Sequence, residues 1–310
     1  MSQDPKENDV TRPCSAALPE RRVIIVTYNS GQDIAACLSA LSCEDVLVID
    51  NASSDGTGDI AADADGFVKV IRNSANVGFG VAANQGMLDA KSRDVVLVNP
   101  DVRITSDVID QLAFTAQRTG AGIVAPRLLY PDGSVQQSAR PFPSVSRLLA
   151  RRTSMGRSAI GRRWLGDDLT PFTSGPVESD WVIGAVMYLP RATIETVGGF
   201  DEQFFLYGED VDLCVRCWRA GLPVILDGHV QATHSYARAS KRTFDFRRPE
   251  TRHHWVSILR LARSYPREFF TGMPLARHVP EVAVDRPEHQ RRTGNAVPAG
   301  PGRESAQTGT

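Results

Sequence analysis

Between residues 23 and 125, short runs of Val, Ile and Leu alternate with stretches whose apolar residues recur every three or four positions. The runs at 23–28, 46–50, 67–71, 95–99 and 122–125 predict strands, and the stretches at about 33–41, 80–91 and 107–118 predict helices. Strands apolar on both faces and separated by helices belong to a parallel sheet covered on both sides, an α/β architecture of Rossmann-like type. In such sheets ligands gather in the loops that leave the carboxyl ends of the strands. The expected strands end there in polar residues: Thr27-Tyr28-Asn29, Asp50-Asn51, Arg72-Asn73 and Asn99-Pro100-Asp101.

After Pro126 the rhythm changes. Pro131-Asp132-Gly133 predicts a turn between 128–130 and 134–137, hence a hairpin. A strand is expected over 181–189, followed by a short helix, and another strand over 223–227. Val211, Cys214, Val215 and Trp218 recur at helical spacing with Arg216 and Arg219 off the stripe, and a further helix over 250–264 places Trp255, Ile258, Leu259 and Ala262 on one face. Residues 1–20 read as a disordered leader and 271–310, rich in Pro, Gly and Arg, as a disordered tail.

Composition narrows the class. The 310 residues carry a net charge of −1, which argues against a nucleic-acid partner, and no nucleic-acid module is discernible. Five scattered cysteines fit free thiols in a reducing cytosol, and the single Cys214-x-x-Cys217 pair lies within an expected helix, where packing is the simpler role. The N-terminal stretch lacks the apolar segment of a signal peptide, and no apolar run approaches the ~20 residues needed to span a bilayer.

The densest chemistry lies in Gly198-Gly199-Phe200-Asp201-Glu202 and Tyr207-Gly208-Glu209-Asp210-Val211-Asp212-Leu213. Glu209 and Asp210 fall at a helix N-terminus, where aligned peptide dipoles favour an ionised carboxylate suited to general-base work. The alternative is that these acids only cap the helix. The loop from Asp50 to Thr57 packs Asn51, Ser53, Ser54 and Asp55 at a strand end, which serves a nucleotide pocket or an ordinary turn. Gly78-Phe79-Gly80 has dinucleotide-fingerprint spacing in the wrong βα unit, so its small residues point only to close approach by a ligand or backbone. Asp101 is delivered to the site edge by the run Val95–Val98, suited either to holding a divalent ion on a diphosphate or to a plain Pro-Asp turn into a helix, and His234 follows the last expected strand, where it is a structural or exposed histidine or completes a metal site. His253 and His254 are read as surface residues.

Together, residues 23–29, 48–57, 76–85, 97–102 and 198–218 resemble family 2 glycosyltransferases of the GT-A fold, in the bacterial rhamnosyltransferase-like branch. The resemblance covers roughly residues 22–245. It implies a nucleotide-sugar-binding half at 21–126 and an acceptor-binding, catalytic half at 127–270 of one domain. Thr27, Tyr28, Asn29, Asp50, Asn51 and Asp55 would line the nucleotide pocket, with Asn76, Gly78 and Asn84 near ribose and diphosphate. Asn99-Pro100-Asp101 stands where the family carries an Asp-x-Asp motif, so Asp101 and, with weaker support, His234 would bind Mg2+ or Mn2+, with Asn99 replacing the first acid. Asp210 would be the general base, with Glu209 and Asp212 as its supporting shell.

The implied reaction is inverting sugar transfer by single displacement, with dTDP-L-rhamnose as donor and a lipid-linked saccharide or polysaccharide of cell-envelope assembly as acceptor. A UDP- or GDP-hexose donor is the alternative within the class, and a non-catalytic nucleotide- or glycan-binding module the alternative outside it. The implied location is cytoplasmic, with peripheral contact at the inner face of the plasma membrane. Two basic sets are candidates for contact with an anionic acceptor or that membrane surface, the alternative being simple solvated faces: Arg147, Arg151, Arg152, Arg157, Arg162 and Arg163, and then Arg238, Lys241, Arg242, Arg247 and Arg248.

Overall fold

The computed structural model describes residues 20–150, 158, 165, 175–235 and 249–271. The first half follows the expected alternation, with one helix, α2, that was not expected: β1 Arg21–Thr27, α1 Ile34–Ala40, β2 Asp45–Asp50, α2 Thr57–Ala62, β3 Phe67–Arg72, α3 Phe79–Ala90 and β4 Asp94–Val98. A two-residue β5, Val102–Arg103, precedes α4 Ser106–Thr119 and β6 Ile123–Leu129. Then come β7 Ala139–Arg140, α5 Val145–Ala150, β8 Pro176–Glu178, β9 Trp181–Val182, β10 Val186–Leu189 and α6 Arg191–Val197. The chain continues through α7 Glu209–Arg219, β11 Val224–His234, α8 Pro249–Ser264 and α9 Pro266–Thr271.

The main sheet runs β3-β2-β1-β4-β10-β6-β11-β5, with β8 on β11. β1, β2, β3 and β4 pair in parallel, while β10 is antiparallel to β4 and β6. Strand alternation sorts the core into two layers. Val23, Ile25, Val46 and Val48 face α1 and α4, whereas Ile24, Leu47 and Ile49 face α3 and α7. The order reverses beside β1, since β2 lies on one side and β4 on the other; ligands bind in the crevice at such a point.

Three expectations change. The single strand over 181–189 is broken at 183–185 into β9 and β10, which lie in different sheets. The strand expected over 223–227 continues to His234 through a register shift between Asp227 and Gln231, so His234 ends the strand rather than following it. The helix stripe was read too narrowly. Leu213, Cys214 and Cys217 pack toward the sheet, while Val211 and Val215 join Leu261, Tyr265 and Phe269 of α8 and α9 in a third cluster. The hairpin at 128–137 is present, closed by Gln136 N–H donating to the Leu128 carbonyl at 2.8 Å.

The leader at 1–19, the tail at 272–310, and Arg151, Arg152, Arg157, Arg162, Arg163, Arg238, Lys241, Arg242, Arg247 and Arg248 lie outside the described residues. Arg147 does not belong to a free basic face. Its guanidinium donates to the Phe142 carbonyl at 3.1 Å, and burial lowers its pKa. Among the described residues no helix is long and apolar enough to cross a membrane.

Candidate active site

The loops after β1 and β2 are zipped together at their rim. Ser54 N–H donates to Asn29 Oδ1 at 2.9 Å, Asn29 N–H to Ser53 Oγ at 2.9 Å, and Gly31 N–H to Asp55 Oδ2 at 2.9 Å. The Thr57 hydroxyl and the Gly31 N–H hold Asp55 below the ordinary carboxylate range. Asp50 accepts from the Ser53 hydroxyl at 2.5 Å, and Asn51 donates to the Gly78 carbonyl at 3.2 Å. Asp50 and Asn51 are both buried, so they brace these loops from beneath, whereas Tyr28 is 52% exposed and presents its ring at the rim. The Thr27 hydroxyl is buried with no hydrogen-bond partner among the described residues. Among the described residues four non-glycine positions have positive φ; Asn29 and Ala52 sit on these loops and Tyr207 on the loop before α7. Such backbone strain collects where a structure shapes a functional surface.

The loop before α3 meets the segment between Gly198 and Leu213 directly. Gly78 has φ of 89°, and a Cβ there would lie 2.7 Å from the Phe205 carbonyl oxygen, so only glycine allows this approach. Asn76 Oδ1 accepts from Gly78 N–H at 3.0 Å and sets the turn. Asn84 is spent elsewhere. Its amide donates to the Phe200 carbonyl at 2.9 Å and to Glu202 at 3.1 Å, and its oxygen accepts from Phe200 N–H at 2.8 Å. Asn84 therefore fixes the Gly-Gly turn through both ends of its amide.

Asp101 and His234 are brought together by tertiary structure alone. The two-residue β5 pairs antiparallel with the end of β11, placing Val102 opposite His234. Asp101 Oδ1 then lies 3.2 Å from His234 Nε2, and Gln136 Oε1 lies 2.8 Å from His234 Nδ1. Where the ring proton goes to Gln136, Nε2 presents a lone pair beside the Asp101 carboxylate, an arrangement that a cation between the two would satisfy. An imidazole nitrogen beside a carboxylate oxygen suits Mn2+ or Mg2+ as a partial ligand set. No cluster of three or more His, Cys, Asp or Glu occurs among the described residues, so further ligands would have to come from the bound donor and water.

Asp210 is linked to the same edge by the break between β9 and β10. Gly184 N–H donates to Asp210 Oδ2 at 3.3 Å, while the adjacent Ala185 carbonyl accepts from Asn99 N–H at 2.9 Å. Val211 N–H donates to Asp210 Oδ1 at 2.8 Å. Asp210 is half-buried, and the dense protein around it raises its pKa, opposed by these N–H groups and by Arg140. Glu209 is buried, and its Oε2 has no hydrogen-bond partner among the described residues. Burial and the neighbouring Asp210 push Glu209 up to about 8. The expectation that the helix dipole keeps this acidic pair ionised is thus overturned for Glu209, because desolvation outweighs the dipole. At neutral pH Glu209 keeps its proton and Asp210, with two backbone donors, is the group suited to carry the charge.

The rest of the motif is scaffold. Asp212 accepts from Arg216 Nε at 2.8 Å and from the Tyr265 hydroxyl at 2.5 Å, and Arg216 also donates to the carbonyls of Val197 and Gly199. Asp201 Oδ1 accepts from Gln203 N–H at 2.9 Å, closing the turn after the two glycines. His253 and His254, read from sequence as surface residues, are half-buried. They meet Phe205 and Tyr207 with ring centroids 4.6 and 5.8 Å apart. Sequence reading also missed Gln136, Gly184 and Arg216. Only Arg216, a cation placed four residues after Asp212, carried a local signal.

A mixed sheet with this strand order and acidic edge defines a GT-A glycosyltransferase fold. The family description Glycosyl transferase family 2 matches residues 22–174, and that of the N-terminal domain of galactosyltransferase matches 171–254. An N-acetylglucosaminyl-diphospho-decaprenol L-rhamnosyltransferase of Mycobacterium tuberculosis is 32% identical over 246 residues, covering 71% of this chain and 77% of the relative. The low-salt glycan biosynthesis hexosyltransferase Agl10 of Haloferax volcanii is 28% identical over 223 residues, covering 70% of this chain and 68% of that protein. The chain belongs to glycosyltransferase family 2. Two solved structures share the fold. GalNAc-T7 with UDP, GalNAc and Mn2+ has a TM-score of 0.57 at 14% identity, covering 85% of this chain and 53% of its own. The mannosyltransferase PcManGT of Pyrobaculum calidifontis with GDP-Man and Mn2+ has a TM-score of 0.50 at 18% identity, covering 80% of this chain and 65% of its own.

Proposed function

We propose that this glycosyltransferase moves L-rhamnose from dTDP-L-rhamnose to a lipid-linked saccharide of cell-envelope assembly, with inversion at the anomeric carbon. The observation that carries the chemistry is the 184–185 turn, which hydrogen-bonds to Asp210 on one side and to Asn99 on the other. It joins a basic carboxylate to the edge that holds Asp101 and His234. The sugar and acceptor rest on the Mycobacterium tuberculosis relative, whose name specifies both rhamnosyl transfer and a diphospho-decaprenol carrier.

In this reading Asp210 takes the proton from the acceptor hydroxyl as that oxygen attacks, and its raised pKa makes it a stronger base near neutral pH. Glu209, neutral beside it, adds no second negative charge. Tyr28 stacks on the nucleobase, with Asn29, Asp55, Asn76, Gly78 and Asn99 shaping the donor pocket over the buried Thr27, Asp50 and Asn51. Asp101 and His234 would hold Mg2+ or Mn2+. Such an ion, when bound, neutralises charge on the departing diphosphate.

Transfer assays with dTDP-rhamnose, UDP-hexoses and GDP-hexoses onto a polyprenyl-diphosphate-linked acceptor, with and without Mn2+, test the reading. Transfer from dTDP-rhamnose alone supports it. Transfer from a UDP- or GDP-hexose instead would move the donor assignment, and absence of transfer from every donor would favour a binding module.

A further inference from the structure

Exposed apolar side chains are unevenly spread over the described surface. Nine large ones stand exposed, and six of them (Leu149, Phe205, Tyr207, Val256, Leu259 and Phe270) lie on the flank formed by α5, α8, α9 and the loop before α7. The α8 helix supplies the pattern. Leu261 is buried toward Phe204 and Val215, while Val256 and Leu259 are 54% and 63% exposed on the opposite side. Arg252, Val256, Leu259 and Arg263 fall at spacings of four, three and four residues, which places them in one stripe along the helix. Phe270, 67% exposed, continues the apolar patch on α9, which packs on both α8 and α5.

The charge on α8 and α9 is mostly basic. Residues 249–271 carry Arg252, Arg260, Arg263 and Arg267 against two acids, Glu250 in the first turn of α8 and Glu268, which pairs with Arg219 at 3.0 Å. Arg260 is used internally, donating to the Gln203 carbonyl and lying over the Phe204 ring. Among the described residues Arg252 and Arg263 have no ion-pair partner. An apolar stripe bracketed by unpaired arginines suits a helix lying in the plane of a lipid headgroup region. It suits a second copy poorly, because two-fold packing of the Arg252–Arg263 stripe, which holds no acid, would set arginine against arginine.

We propose that the α8–α9 flank docks on an anionic lipid bilayer, with Val256, Leu259 and Phe270 entering the headgroup boundary and Arg252 and Arg263 meeting lipid phosphates. The active site is coupled to this surface. His253 and His254 of α8 meet Phe205 and Tyr207, and Ser257 donates to the Leu206 carbonyl at 3.1 Å, immediately before Gly208-Glu209-Asp210. Docking would therefore bring the loop carrying the base to the bilayer surface. The proposal deepens the reading that the acceptor is lipid-linked, and its test needs neither donor nor acceptor.

The full chain is floated with vesicles of phosphatidylcholine alone and of phosphatidylcholine mixed with phosphatidylglycerol. Expected are binding to the anionic vesicles only and loss of binding by Val256→Asp with Leu259→Asp. Arg252→Gln with Arg263→Gln should lower partition about 30-fold at low salt. Leu88→Asp, at an exposed position on α3, should bind like the wild type. The changed side chains are exposed, and equal melting temperatures would confirm that the variants fold; if a double variant melts early, the single changes Leu259→Asp and Arg263→Gln take its place. Equal binding by wild type and folded variants, or no wild-type binding to anionic vesicles, overturns the proposal. A dimer in sedimentation velocity that Leu259→Asp dissociates would overturn it in favour of self-association. Loss of vesicle binding with intact transfer to a short soluble acceptor would separate this surface from the catalytic reading.

Discussion

His234 Nδ1 lies 2.8 Å from Gln136 Oε1 across 98 residues of sequence, and this contact turns the opposite ring nitrogen onto Asp101. Gln136 sits on the hairpin after β6 and His234 at the end of β11, the strand paired with β6. The hairpin thereby sets the tautomer of a residue that would ligate a cation. Partners of this kind influence metal affinity nearly as strongly as the ligands themselves.

Replacing Gln136 by Leu should weaken Mn2+ binding by about 10–100-fold, read by titration calorimetry. Gln136→Glu keeps an acceptor at Nδ1 and should retain most of the affinity. Equal affinity in wild type and Gln136→Leu would show that the hairpin does not orient the ring.

Asp210→Asn keeps the shape of the side chain and removes its basicity. It should fold and bind donor nucleotide while transfer falls ~10²–10⁴-fold. Near wild-type turnover by the purified variant would shift the base to another group.

Glu209 makes stability depend on pH with a defined sign. Its folded pKa of about 8 exceeds the ordinary 4.5, so the native state holds a proton that the unfolded chain releases. Stability should therefore fall as pH rises from 4.5 to about 8 and level off above that. The melting temperature of Glu209→Gln should decline less across this window. Parallel curves for the two proteins would mean that burial does not penalise the Glu209 charge.

Gly199 is fixed by contact, since a Cβ there would fall 2.2 Å from Asn84 Oδ1. Gly199→Ala should destabilise the fold by about 1–3 kcal/mol in denaturant unfolding. Combined with Asn84→Ala, which clears the space, its effect should be smaller than in the wild-type background. Strict additivity would place the strain elsewhere.

The sheet was legible because burial on both faces demands long apolar runs, and β1, β2 and β4 have them in Val23–Val26, Val46–Ile49 and Val95–Val98. The motif at Gly198–Leu213 was legible because a Gly-Gly turn followed by acids at a helix start is a local pattern. The break at 183–185 was not. Its residues Ile183, Gly184 and Ala185 continue an apolar run, and only the departure of β9 to the small sheet interrupts it. Arg216 was misread for a related reason: helical periodicity separates faces, and its partners Val197 and Gly199 belong to a preceding segment.

By itself the sequence determined the strands, the helices and the types of side chain at each strand end, since these follow from periodicity and turn chemistry along the chain. Tertiary structure decided which of those groups meet. It set His234 beside Asp101 through a two-residue strand, made Asn84 a brace, and raised Glu209 above the ordinary carboxylate range. The physical reason is that pairing across β5 and β11, and the desolvation of an acid at the start of α7, depend on what packs alongside. No local pattern records that packing.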